Sequence, residues 1–89
     1  MSLASKTQLL IETLDGLVPT LRHQGEEHWA AWLERDRDLL RRGDYEGARH
    51  FMSAFGGMGS LNDQLFLPPD LLSRAYYLAK EISDEAITE

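Results

Sequence analysis

Residues Glu26 to Gly43 read EEHWAAWLERDRDLLRRG, and the fold turns on how this stretch is read. Glu26 and Glu27 suit the positive first turn of a helix, Arg41 and Arg42 suit its negative end, and Gly43 is a stop. Between them Trp29, Trp32, Leu33, Leu39 and Leu40 form an apolar face. Successive helical residues are turned by about 100°, which places Asp36 near the middle of that face, with Trp29, Trp32, Leu33 and Leu40 around it. A carboxylate in such surroundings is costly unless hydrogen-bonded or paired, so it requires a dedicated donor.

Upstream, Leu10, Leu14, Leu17 and Leu21 recur at helical spacing, with Ile11 and Val18 beside them, and make one apolar stripe. Ser5 and Gln8 have capping-box spacing at its start. Pro19 lacks an amide hydrogen and its ring crowds the preceding turn, so a kink or break is expected near Asp15 to Val18. Gln24-Gly25 ends the segment. Downstream, Asp44 can cap a short third helix with Tyr45, Ala48, Phe51, Met52 and Phe55 on one side, although Gly47 weakens it. Leu61 to Leu67 fits neither period and is read as irregular. Pro68-Pro69-Asp70 opens a last helix, with Asp70 or a neighbour as cap and a face of Leu71, Leu72, Ala75, Leu78, Ala79 and Ile82. The expected fold is all-α: a small bundle of about four helices, one domain over residues 1–89. A glycine-rich loop joins its third and last helices.

That loop, Phe55 to Asp63, reads FGGMGSLND. Residues free to take positive φ can turn several backbone amides into one concavity and hold an anion. Gly56, Gly57, Met58, Gly59, Ser60, Asn62 and Asp63 are therefore the candidate ligand or partner loop, with Asp36, Trp29 and Trp32 supporting it. The loop does not match a dinucleotide fingerprint or a P-loop, because no third glycine stands at Asn62 and no Gly-Lys-Ser/Thr is present. The donors open to Asp36 are the amides of Gly56 to Ser60, the side chains of Ser60 and Asn62, His50, the two indole nitrogens, or an arginine. The reading favours the loop amides.

Composition narrows the function. Nine Lys plus Arg against fifteen Asp plus Glu give a net charge of −6, which opposes nucleic-acid binding. The cluster Arg35, Arg37, Arg41 and Arg42 alternates with Glu34, Asp36 and Asp38 as on a solvated helix face. There is no cysteine, no apolar run near the ~18 residues of a membrane span, and no basic and apolar signal-peptide region at the start. A cytoplasmic protein is expected. The spacings His23–Glu27 and Glu46–His50 allow pairing on a helix face, and both histidines are read as surface or capping residues. No HExxH, ExxH pair or G-x-S-x-G elbow occurs, so neither metal nor cofactor is expected and no catalytic residue is assigned. Tyr77 falls on the side of the last helix away from its apolar face, where an aromatic can anchor a partner.

The motifs Trp29-x-x-Trp32-Leu33-Glu34-x-Asp36 and Phe55-Gly56-Gly57-Met58-Gly59-Ser60-Leu61-Asn62-Asp63 resemble those of an uncharacterised family of small bacterial proteins, a domain of unknown function. The resemblance implies that the two motifs belong together and supplies no catalytic residue. The resulting expectation is a small acidic protein-binding module, acting as a homodimer or on a partner as toxin-neutralising proteins of this profile do. The alternative is a module that binds a small anionic ligand through the Gly56–Asp63 loop.

Overall fold

The computed structural model describes residues 2–55 and 67–88. It is a small all-α bundle of four helices: α1 (Leu3–His23), α2 (Glu27–Arg41), α3 (Glu46–Met52) and α4 (Pro69–Thr88). Helices α1 and α3 each pack against both α2 and α4. The shared core is built from the apolar faces, with Leu10, Leu14, Leu21, Ala30, Leu33, Ala48, Phe51, Ala79 and Ile82 fully buried. The last helix runs through Ser83 to Thr88, with Ser83 itself buried.

The helix stops follow their glycines. Gly25 (φ 81°) and Gly43 (φ 80°) take the left-handed conformation. At the first, the Glu26 amide donates to the Leu21 carbonyl at 2.9 Å, and at the second the Asp44 amide donates to that of Leu39 at 2.9 Å. Both are Schellman endings, which turn the chain sharply while satisfying the last carbonyls. The second ending leaves Asp44 one residue before the N-cap, Tyr45, where its Oδ1 accepts the Glu46 amide at 3.0 Å in a local turn, so the cap expected at Asp44 is displaced by one residue.

Two local expectations about α1 are corrected. Helix α1 is capped by Ser2, whose Oγ accepts the Ser5 amide at 3.1 Å, so Ser5 stands inside the first turn and not at the cap. Pro19 does not break α1, which runs unbroken from Leu3 to His23. Its exposed ring forfeits only the bond to the Asp15 carbonyl, while Leu14, Leu17, Val18 and Leu21 stay buried on both sides of it. Helix α4 opens within Pro68-Pro69-Asp70 as expected, with Pro69 its first residue and Asp70 in the first turn.

Ion pairs bind the helices at the surface. Asp15 of α1 meets Arg37 at 3.1 Å and Arg41 at 2.8 Å from α2, and Arg22 meets Glu27 at 3.0 Å, so part of the expected solvated arginine face bridges two helices. The order of these pairs, with residue 15 beside 37 and 41 and residue 22 beside 27, makes α1 and α2 an antiparallel hairpin. Lys6 and Glu85 join the first turns of α1 to the end of α4 at 2.6 Å.

Candidate functional site

Gly47 sets the site's geometry. A Cβ built on it would stand 2.6 Å from the Asp36 carbonyl oxygen, 3.0 Å from Leu40 Cγ and 3.1 Å from Leu39 Cβ. Helix α3 therefore rests on the backbone of α2, at a separation that only glycine permits. This close approach brings the last turn of α3 over the middle of α2.

There Asp36, 0% exposed, directs Oδ1 at His50 Nδ1 in a hydrogen bond. The His50 ring lies flat on Trp32, with centroids 4.3 Å apart and planes 16° from parallel. The Trp32 indole Nε1 donates to the main-chain carbonyl of the same His50 at 3.2 Å, and Ser53 Oγ donates to that carbonyl at 2.6 Å. His50 is thus held through its ring face, its Nδ1 edge and its backbone. Its side chain keeps 36% of its surface exposed.

Trp29 and His28 extend the cluster along α2. Trp29 lies 5.3 Å from Trp32, and His28 lies 4.9 Å from Trp29 and 5.8 Å from Trp32, all at steep interplanar angles. The result is a partly exposed patch of two indoles and two imidazoles over a buried carboxylate.

The electrostatics centre on Asp36. Burial pushes its carboxyl up from 3.8 to about 6, against the opposing pull of the His50 hydrogen bond and charge and of Arg35. Its second oxygen, Oδ2, is buried with no hydrogen-bond partner among the described residues.

The structure brings together the three loop-supporting residues read from the sequence, Asp36, Trp29 and Trp32, and adds His50 and His28. The donor to Asp36 is His50, one of those the sequence left open. The favoured donors, the loop amides, lie outside the described residues with Gly56, Gly57, Met58, Gly59, Ser60, Asn62 and Asp63 themselves. The surface role expected for His50, paired with Glu46, is corrected: Glu46 meets Arg49 at 3.6 Å, and His50 turns inward to Asp36. Glu27 likewise pairs with Arg22 and not with His23. A signal for the Asp36–His50 contact was present. The two residues stand seven positions before and after Gly43, so a helical hairpin folded there brings them level. His28 had only its i, i+4 spacing to Trp32.

Among the described residues no group of three or more metal-ligating side chains converges, and no helix is long and apolar enough to cross a membrane. No curated protein matches the chain, and no solved structure does. One family model does match, over residues 22–67, a span that holds α2, the Asp36–His50 contact, α3 and the whole glycine loop. With 46 of its 89 residues covered, the chain belongs to the family described as a domain of unknown function, DUF6966.

Proposed function

We propose that this is a small acidic cytoplasmic protein that works by binding another protein, and that its contact face is the patch of His28, Trp29, Trp32 and His50. One observation carries the reading: His50 is fixed through its ring face, its Nδ1 edge and its backbone carbonyl before any partner arrives. Partly exposed rings with polar edges contribute most at protein interfaces, and side chains already immobilised lose little entropy on binding. The net charge of −6 and the electron-rich indole faces favour a partner with a basic surface, drawn in by the field and met by cation–π contacts. The rival reading, anion binding by Gly56 to Asp63, rests on residues outside the described ones.

The test is affinity capture with the full chain and with Trp29→Ala, beside light scattering of both. Wild type is expected to retain a basic partner that Trp29→Ala loses by about tenfold or more, as for a central aromatic anchor. A melt confirms that the variant is folded. Equal retention by folded wild type and variant, or capture of nothing by a strictly monomeric chain, would sink the proposal.

A further inference from the structure

We propose that the Asp36–His50 pair is a pH-operated latch between α2 and α3, closed while the pair carries no net charge and released when it is left with the carboxylate's charge alone. The geometry supplies the parts. Asp36 is fully buried, one of its oxygens meets His50 and the other meets no donor among the described residues. Without its proton, Asp36 is an anion in apolar surroundings, and burial opposes that state. His50 is partly exposed, so the proton has a route to water. The latch also joins the right elements, because His50 is on the last turn of α3 and Trp32 and Asp36 are one turn apart on α2.

Other charges near the pair do little to replace that proton. His50 and Arg35 act on Asp36, and from α1 and α4 no charged group among the described residues does. On α3, Glu46 and Arg49 face each other at 3.6 Å, and on α2, His28 meets Trp29 and Trp32 at steep angles. Asp36 has its carboxyl raised from 3.8 to about 6, so the folded chain holds a proton in that interval that the unfolded chain has released. This contribution to stability is complete below about pH 4 and is lost as pH rises through about 6. Closed, the latch seats His50 on Trp32; released, it frees the end of α3 and opens Trp32 to water.

Tryptophan emission and thermal melts of the full chain, taken between about pH 5 and 8, test the proposal against Asp36→Asn, which keeps an acceptor for His50 and removes the charge. The wild-type emission maximum is expected to shift to the red, and its Tm to fall by about 5–10 °C relative to the variant. The midpoint should lie near 6. Asp36→Asn should show neither change. Should that variant not fold, His50→Gln is expected to keep the transition but displace it to higher pH, because the imidazole's opposing pull on Asp36 is gone, and an unmoved midpoint then overturns the latch. A wild-type profile that is flat, or a variant that keeps the wild-type shift, overturns the latch. Both readouts use the isolated chain, so their failure leaves the partner reading standing, and loss of partner binding leaves the latch standing.

Discussion

At the scale of single residues, the molecule's least expected group is Asp36. Its position on the apolar face follows from helical periodicity, and burial there works against its charge, raising the carboxyl to about 6. His50 offsets part of that cost, and Trp32 makes His50 available by stacking on its ring and donating to its carbonyl. Trp32 is therefore a positioning residue, and its N–H counts as well as its bulk. Trp32→Phe keeps an aromatic stack but drops the 3.2 Å bond, leaving a carbonyl that still has Ser53. The expected loss is about 1–2 kcal/mol of stability, one hydrogen bond plus some packing. A denaturant melt measures it, and a midpoint equal to that of wild type would mean that the indole nitrogen contributes nothing to holding His50.

At the scale of elements, the same residue type stands in three different settings. Gly25 and Gly43 take positive φ and stop helices, Gly16 lies in α1 with nothing within 4 Å of a built Cβ, and Gly47 lies in α3 against the backbone of α2. Propensity alone says that alanine at either helical glycine gains about 0.5–1 kcal/mol. Contact separates them. Gly16→Ala is expected to gain that amount, whereas Gly47→Ala must push α3 off the Asp36 carbonyl and is expected to lose about 1–3 kcal/mol. Melts of the two variants side by side check this, and a stabilised Gly47→Ala would show that the α2–α3 contact is slack. From the sequence Gly47 reads only as a weak spot in a short helix, because close approach is a property of two elements and leaves no periodic trace. Pro19 shows the opposite limit: its local rule is real, but one missing amide bond weighs less than a stripe of buried leucines.

At the scale of the whole molecule, α1 to α4 form a bundle whose core was legible, since four amphipathic segments and their glycine or proline boundaries dictate what must face inward. The site was legible in half. Asp36, Trp29 and Trp32 could be found by angle along one helix, but pairing Asp36 with His50 needs the turn at Gly43 to set two helices level. The surface ion pairs Asp15–Arg41 and Lys6–Glu85 tie α1 to its neighbours, but solvent-screened pairs of this kind contribute too little to decide the arrangement. The α2–α3 joint rests on the close approach at Gly47, on the Trp32 contacts with His50 and, centrally, on Asp36 and His50 acting as a unit. A double-mutant cycle measures that most directly: wild type, Asp36→Ala, His50→Ala and the double variant, each unfolded by denaturant near pH 6, where the pair is poised. The account predicts a coupling energy of about 1–3 kcal/mol, the double variant costing much less than the two single losses together. Losses that add to within about 0.5 kcal/mol would contradict it.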